Sequence, residues 1–176
     1  IKVLTDHFSP FQVAEYTEPL SNSGDTGFKP NINGFAIDNF GDDSDQRGHC
    51  WGMVAFAGWY WEYKQSDKNL SAKYSDCEAR SVINETNHTI AEIRPDFVIW
   101  KLNQSAAYVA NVLMMGIDLG KPQPLSLFIN NPPGHAVLVY KYVKNTDSTV
   151  TFYIYDPNPP HDNIITYNNG KFDPYG

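Results

Sequence analysis

The sequence predicts an α+β fold, with helices in the first two thirds of the chain and an antiparallel sheet in the last third. Three observations carry that prediction. Residues 50–64 read CWGMVAFAGWYWEYK, a run of helix length that is apolar around most of its circumference. Further on, Ala106, Val109, Ala110, Leu113 and Met114 recur at the three- and four-residue spacing of a helix face. Beyond residue 124 the pattern changes to strand-length segments dense in Val, Ile, Tyr, Phe and Leu, separated by turn formers. Helices followed by strands, rather than alternating with them, is the α+β order.

Taken in order, residues 1–49 are rich in Asn, Asp, Gly, Ser and Pro and are expected to be irregular loop. Their end, from Gly41 to Gly48, is a run of turn formers leading to Cys50, where the first helix is expected to begin. Gly52 and Gly58 weaken that helix, and close packing against a neighbour is the expected reason they are tolerated. A second helical region is expected over Thr89–Met115, interrupted near Pro95. Strands are expected over Leu125–Ile129, Ala136–Val143 and Thr149–Tyr155, with turns at Asn130–Gly134 and Asn145–Ser148. Ile164–Tyr167 adds a fourth strand, ended by Asn168-Asn169-Gly170. The chain thus reads as a single domain over 1–176. A loop-rich and helical lobe runs to about residue 120 and an antiparallel β lobe covers about 121–176, with a cleft between them.

Composition narrows the function. The 176 residues allow a real core, because a domain of this size buries roughly 70% of the surface its unfolded chain exposes. With 13 basic against 20 acidic residues, the net charge of −7 disfavours a nucleic-acid partner and an anionic membrane surface. No stretch approaches the ~18 uninterrupted apolar residues of a membrane span. The start at Ile1, with no basic segment followed by an apolar run, reads as a mature form or an excised part of a longer chain. His7, His49, His88 and His161 show no ligand spacing with one another or with Cys77, so a metal site is not expected.

The two cysteines differ. Cys50 stands where a polar, glycine-containing loop meets an apolar helix, and the unpaired N–H groups of a helix start stabilise a thiolate. A buried cysteine that merely opens a core helix is the other interpretation. Cys77 lies between Asp76 and Glu78, whose charges disfavour a thiolate, and is expected to be inert. A Cys50–Cys77 disulfide would abolish thiol chemistry, so any catalytic role requires both to be unpaired.

His135 opens the strand HAVLVY and Asp156 closes the strand TFYIY. If these strands pair as a hairpin around Asn145–Ser148, both residues stand at the same end of the sheet, one strand apart. A carboxylate there can accept from one imidazole nitrogen and fix the tautomer that leaves the other facing a thiol. Alone, His135 is equally an edge-strand polar residue and Asp156 a turn-initiating Asp before Pro157. Jointly with Cys50 they form a Cys–His–Asp set.

At these residues the sequence resembles a known family. Gly48-His49-Cys50-Trp51-Gly52-Met53 resembles the nucleophile signature of bacterial papain-like cysteine peptidases. Gly134-His135-Ala136-Val137 is similar to their histidine strand, and Tyr155-Asp156-Pro157-Asn158 to the ending of the strand that follows. The resemblance covers roughly Asn39 to Asn158, with no matching motif between Lys64 and Lys121. The Asp-Pro-Asn ending is closest to the shorter bacterial branches, among them the bacteriocin-leader-processing peptidases. The resemblance implies a papain-like fold, with Cys50 as nucleophile, His135 as general base and acid and Asp156 as orienter. It further implies a protein or peptide substrate and no cofactor. Where papain has its oxyanion glutamine this chain has Ser44. Gln46 and Asn39 are the candidate replacements, and a loop amide without a role is an equal alternative for either.

Acyl transfer to an amine, as in transglutaminases, uses the same triad, and a non-catalytic binding or adhesion domain on the same fold is a third possibility. The low lysine content and the resemblance to exported peptidases lead to the expectation of a secreted or cell-surface location; the oligomeric state is not indicated. Asp42, Asp43 and Asp45 would favour basic substrates if they line the cleft, and are otherwise solvated loop. Trp51, Trp59 and Trp61 are expected in the core, with Trp51 able to shield the His135–Asp156 pair. Sequons occur at Asn69, Asn84, Asn87 and Asn103 and are expected to be idle in a bacterial protein.

Overall fold

The computed structural model describes residues 21–41, 48–64, 66–67, 69–93, 104–127 and 134–175, of which 90–93 by backbone alone. Its elements are β1 (Ser23–Asp25), α1 (Pro30–Asn33), α2 (Cys50–Tyr63), a short 3-10 turn (Leu70–Ala72), α3 (Asp76–Ile93) and α4 (Ala106–Asp118). Then come β2 (Gln123–Leu127), β3 (His135–Lys144), β4 (Val150–Tyr155), β5 (Asp162–Asn168) and β6 (Lys171–Phe172). The protein is α+β, mixing helices with an antiparallel sheet.

The long strand β3 organises the sheet. Along one edge it pairs with β2 over its first half, from Leu127↔His135 to Gln123↔Val139, and with β1 over its second half, from Asp25↔Lys141 to Ser23↔Val143. On its other edge β4, β5 and β6 follow in order as an antiparallel meander. Between Val139 and Lys141 the pairing with β4 shifts by one residue, a β-bulge at Tyr140. Because of it, Val137 and Val139 before the bulge and Tyr142 after it all enter the same core cluster.

Each face of the sheet is covered by its own helices. Met53, Val54, Ala57 and Tyr60 of α2, with Ala79 and Ile83 of α3, pack against Ala136, Leu138, Tyr140 and Tyr155. Phe28, Phe35 and Ile37, from the segment between β1 and α2, complete that layer. On the opposite face Ala110, Leu113, Met114 and Ile117 of α4 meet Val137, Val139, Tyr142, Phe152 and Ile154. Each fully buried Val, Leu, Ile, Phe or Met among them contributes roughly 1.5–3 kcal/mol of transfer free energy, and each alanine less. Trp51, Trp59 and Trp61 are partly buried against the first cluster, the core position expected of them.

Several expectations are corrected. The segment read as loop contains β1 and α1. Ser23-Gly24-Asp25 reads as turn chemistry because a Cβ at Gly24 would stand 2.6 Å from the Tyr142 ring and 2.7 Å from Asp118. Glycine there serves close approach in a strand. Among the described residues the second helical region holds two helices, the first of which begins at Asp76 rather than Thr89. Its start carries the glutamate half of a capping box: the Ser75 N–H donates to the Glu78 carboxylate at 3.0 Å, and the Ser75 hydroxyl donates to it at 2.7 Å. The break near Pro95, the turn residues Asn130–Pro133 and the end of the expected strand at Phe128 and Ile129 lie outside the described residues. Gly52 is needed for close packing, since a Cβ would lie 2.6 Å from the Ile83 carbonyl; at Gly58 the nearest atom is a flexible Leu138 methyl at 3.4 Å. No helix among the described residues is long and apolar enough to cross a membrane.

Candidate active site

Cys50 is the first residue of α2, and its position is fixed from both sides of the loop that precedes it. Gly48 takes a positive φ of 104°, which a side chain would resist. The next residue, His49, donates its backbone N–H to Phe40 O at 3.1 Å and to Asn39 Oδ1 at 2.9 Å. Its ring Nδ1–H donates to Phe40 O at 2.9 Å, and the ring stacks on Phe40. His49 supplies no side-chain cap to α2; instead Asn87 of α3 accepts the Gly52 N–H at 3.2 Å. The opening turn of α2 is therefore capped from a neighbouring helix, which the small Gly52 allows to approach.

The same Asn39–Phe40 segment reaches the sheet. Asn39 donates its backbone N–H to Pro157 O at 2.9 Å, tying the Cys50 loop to the residue that follows Asp156. Here the strand ends bring the other two groups together. The pairing of Leu138 with Tyr155 leaves His135 and Asp156 at the same end of the β3–β4 hairpin. His135 Nε2 meets Asp156 Oδ1 at 2.6 Å. Cys50 is near enough to act on the imidazole and raise its pKa, and with Nε2 on the carboxylate, Nδ1 is the nitrogen left for the sulfur. Cys50, His135 and Asp156 thus form one connected set.

Charge is balanced within it. Burial draws the His135 pKa down, but hydrogen bonds to Asp156 and Cys50, and the charges of both, outweigh burial and push it up to about 9. For Asp156, burial works to raise the carboxyl pKa. Its bonds from His135, Tyr175 and the Asn158 N–H, together with the imidazolium charge, prevail and hold it below the ordinary carboxylate value. Cys50 and Cys77 are both unpaired, Cys50 buried at 9% exposure and Cys77 exposed on α3. No group of three or more His, Cys, Asp or Glu side chains among the described residues is arranged to hold a metal ion.

Of the two amide candidates, Asn39 lies against the loop before Cys50: a Cβ on Gly48 would stand 2.6 Å from its Nδ2. Gln46, with the acidic residues Asp42, Asp43 and Asp45, lies outside the described residues. Sequence reasoning missed the carboxylate's other supports. Asn158 N–H donates to Asp156 Oδ1 at 2.7 Å and the Tyr175 hydroxyl donates to Oδ2. His161, read only as lacking metal-ligand spacing, braces the backbone: its Nδ1–H donates to Asp156 O at 2.9 Å and its carbonyl accepts the Asp156 N–H at 3.0 Å. The Asp-Pro-Asn turn was a usable signal for Asn158. Nothing in spacing or pattern points to Tyr175, which reaches the site only through the fold of β5 and β6. Comparison of the chain with protein-family models, curated proteins and solved structures finds no match.

Proposed function

We propose that the chain is a papain-like cysteine peptidase that hydrolyses peptide bonds through Cys50. The observation that carries this reading is the His135 imidazole, bonded through Nε2 to Asp156 at 2.6 Å, with Cys50 near enough to act on its charge. His135, whose pKa is pushed up to about 9, takes the thiol proton and leaves a thiolate. The thiolate attacks the peptide carbonyl carbon and the carbonyl π pair moves to oxygen. The Cys50 N–H, one of the four helix-start donors without an acceptor inside the helix, holds that oxyanion together with an amide side chain. Asn39 is the amide we favour, because its Oδ1 is engaged by the His49 N–H and its Nδ2 is the donor end; Gln46 is the other candidate. The His135 imidazolium gives its proton to the amine nitrogen as the C–N bond breaks, leaving a thioester. Water then enters, His135 takes its proton, hydroxide adds to the thioester carbonyl, and the thiolate leaves with an acid as product.

The resemblance to exported bacterial peptidases is the ground for proposing a secreted or cell-surface setting. Incubating the protein with an unstructured protein substrate and a small primary amine, then mapping new termini by mass spectrometry, tests the reading. Hydrolysis gives new termini that are absent with Cys50→Ala. Amine incorporation without new termini would replace hydrolysis by acyl transfer, and neither product would contradict both.

A further inference from the structure

The Asp156 carboxylate carries one partner that the proposed reaction does not use. Asp156 is buried, at 4% exposure, where an oxygen without a donor costs free energy. Oδ1 accepts from His135 Nε2 at 2.6 Å and from the Asn158 N–H at 2.7 Å. Oδ2 accepts from the Tyr175 hydroxyl. Tyr175 Oη in turn accepts from Asn163 Nδ2 of β5 at 3.1 Å, so the phenol is itself held. Three separate stretches of chain converge on one carboxylate: β3, the turn after β4, and the segment after β6.

We infer that Tyr175 is a positioning residue, which fixes the Asp156 carboxylate with Oδ1 facing His135 and so sets the tautomer and angle of the imidazole. The terminal torsion of an aspartate is broad and nearly two-fold, so donors on Oδ1 alone leave the group free to swing. A second anchor on the other oxygen removes that freedom. Burial and the neighbouring carboxylate both push the Tyr175 phenol upward, against a smaller opposing pull from Asn163. It therefore remains a neutral donor across the range in which an imidazole and a thiol act. This assignment rests on the proposed role of Cys50, His135 and Asp156.

The test is a double-mutant cycle read on the rate of iodoacetamide alkylation of Cys50 at pH 6, with Cys77 as internal control. In Tyr175→Phe the rate falls roughly tenfold, the scale of a lost hydrogen bond to a charged group. Adding Tyr175→Phe to Asp156→Ala produces no further fall, because Tyr175 acts only through the carboxylate. Asn163→Leu, which removes the donor to Tyr175 Oη, lowers the rate in the same direction by a smaller factor and serves if Tyr175→Phe does not fold. A fast wild type whose rate is unchanged in folded Tyr175→Phe, or in Asn163→Leu where that variant stands in, overturns the inference alone. So does a double variant slower than Asp156→Ala by the full single-mutant factor. A wild-type Cys50 no faster than Cys77 overturns the triad, and the positioning role with it.

Discussion

His135 couples the chemistry of the site to the stability of the fold. Its pKa is raised from an ordinary value of 6.5 to about 9, so the stabilisation it contributes is fully present below pH 6.5 and is lost as pH rises through 9. Asp156 is shifted the other way. Its contribution is present above the ordinary carboxylate value and is lost as pH falls through the lowered one. Urea midpoints should therefore be highest between about pH 4 and 6.5, with an alkaline decline toward 9. Cys50→Ala removes an interaction that raises the imidazole, so the alkaline decline should move to lower pH; an unmoved decline would mean that Cys50 does not act on His135. In turnover, Asp156→Asn should cost roughly 10²- to 10⁴-fold in kcat/KM. Asn39→Ala should cost roughly 10²- to 10³-fold, chiefly in kcat, if its amide holds the oxyanion. At this scale the set Cys50, His135 and Asp156 was legible, because each stands at an element boundary that sequence pattern marks. Tyr175 was not, since its hydrogen bond depends on where the segment after β6 comes to rest.

Helix α2 presents Cys50, the proposed nucleophile, and its first turn depends on α3. Gly52 lets the backbones of the two helices approach, and Asn87 supplies the cap that His49 does not. Gly52→Ala puts a methyl 2.6 Å from a backbone carbonyl that cannot yield cheaply, and should destabilise by roughly 1–3 kcal/mol while slowing Cys50 alkylation. Asn87→Ala should cost about 1 kcal/mol by loss of the cap, measured as a shift in urea midpoint at unchanged slope. The start of α3 was readable and was overlooked. Ser75-x-x-Glu78 is a capping-box signature, and behind it Ala79, Val82, Ile83, Ile90 and Ile93 recur at helical spacing, so both signals were present in the sequence. By contrast β1 was hidden for a physical reason. Its central Gly24 is required by the Tyr142 ring, and a glycine between Ser and Asp carries the composition of a turn.

Across the whole molecule, β3 is shared by both core clusters: Ala136, Leu138 and Tyr140 face α2, while Val137, Val139 and Tyr142 face α4. Shared burial on one strand couples the two layers, so unfolding should be a single transition. Met53→Ala on one face and Leu113→Ala on the other should each lower global stability by about 2–5 kcal/mol. Two separated transitions in either variant would contradict the coupling. Amide exchange should be slowest in β3, which is flanked on both edges. The sequence pattern predicted helices then strands, and that order holds. It did not predict a strand from the first part of the chain joining the sheet, because β1 has only three residues and no apolar alternation. The coupling matters for the proposed function, since Cys50 comes from α2 and His135 and Asp156 from the sheet.

The central claim is that Cys50 is an activated thiolate held by His135. Peptide-resolved mass spectrometry after brief iodoacetamide treatment from pH 4 to 9 tests it directly. Accessibility alone favours Cys77, which is exposed while Cys50 is buried, so a faster Cys50 has no steric explanation. Cys50 should alkylate well below pH ~8.5, faster than Cys77, and lose that advantage in His135→Ala. Equal slow labelling of both cysteines, or a Cys50 rate that follows an ordinary thiol and ignores His135, would contradict it.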